Sequence, residues 1–445
     1  MPSRFATALL AVIALTLVAC DTSGDATGTT TPPTTTPAEP TTSQPAETTT
    51  SEVAPQPEGM GDLPEEVAAQ ITELSAVVED LRGLEFLEEP KVKVVTTEEL
   101  AQLVQEDIEE NVEDLDTDEA LDVLLGLIEP GTSLLDTYLE LYGEQVAGFY
   151  DTDTKELVVP LRDESFSALE RSTIVHELVH ALTDQHFDLD ASYDTLYDEQ
   201  RYDEALAFQA LIEGDAVATE FTHLMGMSFE EQQQLFEDSL EADTTALEAA
   251  PRFLQESLIF PYTTGREFVD SLMAAGGQEA VNQAYSEPPI STEQVITPAD
   301  YQVDQPVPVS LEITVPDGYE LIYDAVWGEL GFEIMFNQIL GGRPEAADGW
   351  GGDQYVTYFD GTDVVMALRF VGDAEEDAAE MTDALLAYVE AGMDVGDGED
   401  RDEARWYSGE DFAFVDRQGA EVVWVVASDP EVGESVAGQL VEANA

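Results

Sequence analysis

The chain has 445 residues, in which 96 Asp and Glu face 15 Lys and Arg, for a formal net charge of -81. Such a surface repels nucleic acid and anionic lipid headgroups, so neither is expected as a partner. Hydrophobic residues make up 43% of the chain, enough for one large core or two ordinary ones, and the single cysteine excludes both a disulfide framework and a thiolate zinc site.

The first segment reads as an address. Arg4 supplies a positive start, and Phe5 to Ala19 is apolar but too short to span a bilayer, so residues 1–19 are expected to be a signal peptide. The run Leu17-Val18-Ala19-Cys20 resembles a bacterial lipobox. That resemblance implies lipid on Cys20, cleavage before it, and a protein held at the cell membrane facing outside the cytoplasm. From Asp21 to about Met60 the chain is Thr, Pro, Ala, Glu and Ser, which cannot bury enough surface to order itself. Residues 20–62 are therefore expected to be a tether. No later segment is long and apolar enough for a transmembrane helix.

Order is expected from about Leu63. Val67, Ile71, Leu74, Val77, Val78 and Leu81 recur at helical spacing between Pro64 and Arg82, with Gly83 as the stop. Lys91 to Val95 reads as a strand, followed by acidic helices over Thr97 to Val112, Asp118 to Leu127 and Gly131 to Leu141. Val146 to Tyr150 and Leu157 to Val159, joined by a turn at Asp151 to Lys155, read as a β-hairpin. Helices are expected again from Ser167 to His186 and from Asp203 to Leu224.

Past Tyr301 the pattern turns to strands, at Val307 to Val315, Gln354 to Phe359, Val364 to Phe370, Arg405 to Tyr407, Phe412 to Val415 and Glu421 to Val426. Helices are expected there at Ala325 to Leu340, Ala374 to Ala391 and Glu431 to Asn444. The class is thus α+β: a mainly helical domain with a small hairpin over 63–302, and an α/β domain over 303–445.

The chemistry sits in His176-Glu177-Leu178-Val179-His180. On a helix the two histidines lie one turn apart on one face, so both imidazoles reach one zinc ion. Glu177 is offset by roughly 60° from His180, beside the metal rather than on it. There it can take a proton from water that zinc acidifies.

A catalytic zinc needs a third protein ligand, and two candidates compete. Glu213 lies next to a stripe of small residues, Ala207, Ala210, Gly214 and Ala218, which lets another helix approach closely. His186 has metzincin spacing, but Thr183 stands where that class needs Gly for a left-handed turn. If the helix continues, His186 faces away, roughly 240° around the axis from His180.

Asp184, four residues past His180, is a candidate to orient a ligand imidazole, and Asp215 is a second. His223, Tyr150 and Tyr262, the last placed ahead of a new helix at Gly265, are candidate donors to a carbonyl oxygen developing charge. Trp350, between glycines in a loop, is read as packing into the C-terminal core.

His176 to His180 followed by Glu213-Gly214-Asp215-Ala216 resembles a gluzincin, and more narrowly the predicted zinc-peptidase lipoproteins of bacteria. The segments Glu144 to Tyr150, Asp184 to Phe187, Pro288 to Gln294 and Gly349 to Tyr355 fit the same resemblance, while Thr297 departs from it, standing where relatives often carry His. The resemblance implies a zincin-like domain over 63–302, zinc on His176, His180 and Glu213, and Glu177 activating water against a peptide or protein substrate. It also implies that Val146 to Tyr150 or Leu157 to Val159 borders the cleft as an edge strand. The rival reading is a non-catalytic cell-surface binding or scaffold lipoprotein that retains the fold. A third is a hydrolase of cell-wall amides.

Overall fold

The structure is a computed structural model, which describes residues 63–444 apart from 112–113, 146–147, 162–164, 241–243, 343–344 and 402–403. The signal peptide, the tether, Cys20, Val146 and Ala147 lie outside the described residues.

The fold is α+β. Helix α1 (Glu65–Arg82) buries Val67, Ile71, Leu74 and Val78 and stops at Gly83, whose φ of 64° is costly for any residue with a Cβ. Strand β1 (Lys91–Val95) is followed by α2 (Thr97–Asn111), α3 (Leu115–Leu124) and α4 (Leu134–Gln145). The hairpin forms as β2 (Phe149–Asp151) and β3 (Glu156–Pro160). Together with β1 these make a three-stranded sheet in the order β1-β3-β2, β3 lying parallel to β1 and antiparallel to β2.

Helix α5 (Ala168–Phe187) carries both metal-motif histidines. It starts at a capping box, in which the Ser167 hydroxyl accepts from the Glu170 amide and the Glu170 carboxylate accepts from the Ser167 amide. Ile174, Val175, Leu178, Val179 and Leu182 then bury it against α1, β3 and Ala216.

Helix α6 (Leu189–Asp198) leads to α7 (Tyr202–Gly226), the helix of Glu213. After α8 (Phe229–Ser239) and α9 (Thr245–Ala249) comes α10 (Arg252–Gly276), which crosses α7 at backbone contact. A Cβ on Gly214 would lie 2.2 Å from the Gly265 carbonyl oxygen, and one on Gly265 would lie 2.2 Å from that of Ala210. The small-residue stripe thus serves α10, while Glu213, one residue around, faces α5.

Helix α10 corrects one expectation: it runs straight through Pro261, so Tyr262 lies mid-helix rather than ahead of a new one. Just past the proline, Gly265 packs on the backbone of α7 at Ala210 and Gly214. Helices α11 (Gln278–Ser286) and α12 (Thr292–Ile296) complete the helical part.

The C-terminal part is a seven-stranded antiparallel sheet in the order β4-β5-β6-β10-β9-β8-β7. Its members are β4 (Glu320–Ala325), β5 (Trp350–Phe359), β6 (Val364–Gly372), β7 (Glu399–Arg401), β8 (Ala404–Ser408), β9 (Phe412–Gln418) and β10 (Glu421–Ala427). Alternate residues serve opposite faces, as the pleat requires. Val422, Trp424 and Val426 point into a core shared with α13 (Gly328–Leu340) and α14 (Glu375–Gly392). Val423, Val425 and Ala427 pack against α15 (Pro430–Asn444) and Leu311. The first core is continuous from Leu121 through Phe208, Phe268 and Phe332 to Trp424, so the helices beside Glu213 and the inner sheet face share one interior.

The expected strand at Val307 to Val315 does not form; residues 304–316 run without a ladder. Pro306 and Pro308 lack the donors a ladder needs, and the segment is held singly, by Val307 N donating to Gly351 O and Thr314 N to Gln439 Oε1. The strand beside β5 is β4 instead.

Candidate metal centre

Packing α7 against α5 brings three side chains to one point. The Glu213 carboxylate lies 3.1 Å from His176 Nε2 and 3.4 Å from His180 Nε2. The imidazoles stand edge to face, with centroids 4.8 Å apart. All three residues are buried, Glu213 completely. Their ligand atoms lie within 4.8 Å of one another.

The donor set fits a metal on evidence from the polar atoms themselves. Both ring nitrogens of His180 and Oε1 of Glu213 are buried with no hydrogen-bond partner among the described residues. Buried polar atoms are ordinarily paired, and two imidazoles with one carboxylate is a donor set that zinc takes in open catalytic sites. Burial pushes Glu213 up, but the two imidazoles beside it pull harder and leave it below the ordinary carboxylate range.

Glu177 faces the same chamber. Its Oε2 accepts the Tyr150 amide at 2.9 Å, which fixes the carboxylate against β2. Burial raises it to about 7, against the lowering pull of His180 and His176. Strand β2 is a sheet edge, whereas Leu157 to Val159 sit in the central strand, Leu157 and Val158 paired on both sides and Val159 with Val94 of β1. The cleft-bordering edge therefore cannot be β3.

The remaining expected residues separate. His186 lies past the site near the end of an unbroken helix, its Nε2 2.9 Å from Glu85 O. Thr183 sits within that helix, its hydroxyl donating to Val179 O, so the left-handed turn His186 would need is absent.

Asp184 accepts from the Tyr150 hydroxyl, from Lys155 Nζ and from the Leu189 amide, so it pins the hairpin and starts α6 rather than orienting an imidazole. Tyr150 is correspondingly turned toward Asp184 with its hydroxyl. Asp215 pairs with the buried Arg82 guanidinium at 3.0 Å and accepts from Tyr285 Oη, which ties α7 to α1 and α11. His223 lies ten residues past Glu213 on α7, where burial and the Arg171 charge lower its pKa. Tyr262 is at the site, but as a ring stacked on His176 with centroids 6.2 Å apart. Trp350 is buried at the start of β5, its indole donating to Asp353.

One member had not been picked out. Glu220 Oε2 lies 3.3 Å from His176 Nδ1, and its Oε1 accepts from the Ser172 hydroxyl. It is the carboxylate that orients the His176 imidazole, the task expected of Asp184. Its only trace in the sequence is its place two helical turns past Glu213, on the same face.

The family model described as a domain of unknown function (DUF8575) matches residues 320–437. That match covers most of the C-terminal sheet and none of the residues around His176. No curated protein and no solved structure matches the chain.

Proposed function

We propose that the chain is a zinc-dependent peptidase acting on peptide or protein substrates, with His176, His180 and Glu213 as the metal's protein ligands. The observation that carries this reading is the convergence of two imidazoles and a carboxylate in one buried chamber, with orphaned atoms on His180 and Glu213. Zinc, when bound, supplies Lewis acidity toward the scissile carbonyl.

The chain supplies the rest. Glu220 holds the His176 ring through Nδ1, so that Nε2 is presented to the site. Glu177, steadied by the Tyr150 amide, takes a proton from the attacking water and passes it to the leaving amine. The Tyr262 ring lies near-parallel to the His176 ring in the same buried surroundings. A structural metal site would have no use for Glu177, which favours the enzyme over a scaffold. Lipid on Cys20 would place this chemistry at the outer face of the cell membrane.

Metal analysis and one variant test the reading. The purified chain should carry about one zinc, the stoichiometry of a single catalytic site. Glu177→Gln should keep that zinc and lose about 10²- to 10⁴-fold in cleavage rate. Wild type that holds zinc yet cleaves nothing in a diverse peptide library at high salt would instead support a scaffold.

A further inference from the structure

We propose a second metal site, for a hard divalent cation of the calcium type, whose ligands are the carboxylates of Glu293, Asp304 and Asp373. They come from three places in the chain: α12, the segment following it, and the turn between β6 and α14. Their oxygens all lie within 4.8 Å of one another. That is the span one ion can bridge at a calcium–oxygen distance of about 2.4 Å.

The cluster is more than an acidic surface. Glu293 is only 5% exposed, and its carboxylate makes no hydrogen bond or ion pair with the described residues. A carboxylate so largely enclosed, with no cation beside it, is unfavourable in its charged form unless it is neutralised. The surroundings make matters worse. After burial itself, the groups that raise Glu293, to about 8, are Asp304, Asp373, Asp300 and Asp203, all carboxylates. Glu329, 3% exposed, lies close by on α13 and is raised to about 9, first by burial and then by Glu333 and Glu293. Only oxygen donors are offered, with no imidazole or thiolate, which selects a hard cation rather than zinc.

The location gives the ion a structural role. Two of the sequence segments singled out above, Pro288 to Gln294 and Gly349 to Tyr355, meet here. Gln294 Nε2 donates to Asp304 O at 2.7 Å, Asp373 N to Gly349 O at 3.1 Å, and Val307 N to Gly351 O at 2.7 Å. Neutralising Glu293, Asp304 and Asp373 together would fasten α12 to the outer turns of the seven-stranded sheet. The site does not depend on the zinc reading.

The test uses the full chain as purified in molar KCl, whatever its zinc content, stripped of calcium by a calcium-selective chelator that is then removed, and titrated with CaCl2. One saturable site by calorimetry and a higher melting temperature are expected. MgCl2 at the same ionic strength should give much less of either, since the smaller ion resists a carboxylate cage of this kind. Glu293→Gln should weaken calcium binding by at least about tenfold. Asp373→Asn, at an exposed position where folding is not at stake, should weaken it as well. The site is refuted if wild type takes up no calcium saturably, if magnesium matches calcium, or if both variants bind calcium like wild type.

Discussion

His176 is gripped from both ends, by Glu213 at Nε2 and by Glu220 at Nδ1. A carboxylate behind a metal-bound imidazole fixes its tautomer and raises its basicity, and losing one typically costs 10- to 100-fold in metal affinity. Glu220→Gln is therefore expected to weaken zinc binding by about that factor, read by competition with a chromophoric chelator, while Glu213→Gln, which removes a proposed ligand, should cost more. Arg82 makes the second prediction at this scale. It is fully buried against Asp215, so Arg82→Met leaves a carboxylate without its cation. Unfolding in urea should show a loss of about 3–5 kcal/mol, part of which returns when Asp215→Asn is added. The histidine pair was legible because its spacing is self-sufficient on any helix, and Glu213 because small residues marked its helix as closely packed. Glu220 was not: with 96 acids in the chain, an acid two turns further on says nothing until α5 is known to lie alongside. Asp184 was misread because Tyr150 and Lys155, which claim it, arrive from a hairpin whose docking no local pattern records.

Single elements were read well where one signal dominated. Helix α1 ends at Gly83, and α5 starts at the Ser167 and Glu170 box, as their chemistry dictates. Reading failed where two signals conflicted. Alternation favoured a strand at Val307 to Val315 while Pro306 and Pro308 opposed it, and the prolines prevailed. A new helix was expected at Gly265, whereas α10 runs on through Pro261 and meets α7 at backbone contact there. That contact carries a prediction. The α7–α10 crossing admits no Cβ at Gly214, which would meet the Gly265 carbonyl at 2.2 Å. Backbone cannot give way as a side chain can, so Gly214→Ala must push the helices apart. A loss of about 1–3 kcal/mol is expected from overpacking of this kind. Because Glu213 is the adjacent residue, the same variant should also bind zinc more weakly. A Gly214→Ala protein with unchanged urea midpoint and unchanged zinc affinity would show that the crossing is looser than described.

At the scale of the molecule, a net charge of -81 opposes compaction, and salt relieves it at fixed pH, since at 1 M the screening length falls to about 3 Å. Melting temperature at pH 7.5 should therefore climb steeply from dilute buffer to molar KCl. A second pH-dependent contribution lies inside, where salt does not reach. Burial pushes Asp203 up to about 7 and Asp353 up to about 6, far above the ordinary carboxylate value of about 3.9. A folded state that holds protons more tightly than the unfolded chain loses stability as pH rises. The cost is complete above about pH 7 and disappears once pH falls into the ordinary carboxylate range. Acidification from pH 7.5 to 5.5 should accordingly raise the melting temperature, the reverse of ordinary acid denaturation. Surface repulsion predicts the same direction in dilute buffer, so the discriminating measurement is made in molar KCl, with a chelator present so that metal binding adds no pH dependence of its own. There the surface contribution is screened and the interior one persists. Asp353→Asn should flatten the part of the slope near pH 6, because it removes one of the groups that titrates there. If the melting temperature in molar salt instead falls with acidification, the hydrogen bonds that Asp203 accepts from Thr292, and Asp353 from Trp327, Gly328 and Trp350, outweigh the effect of burial.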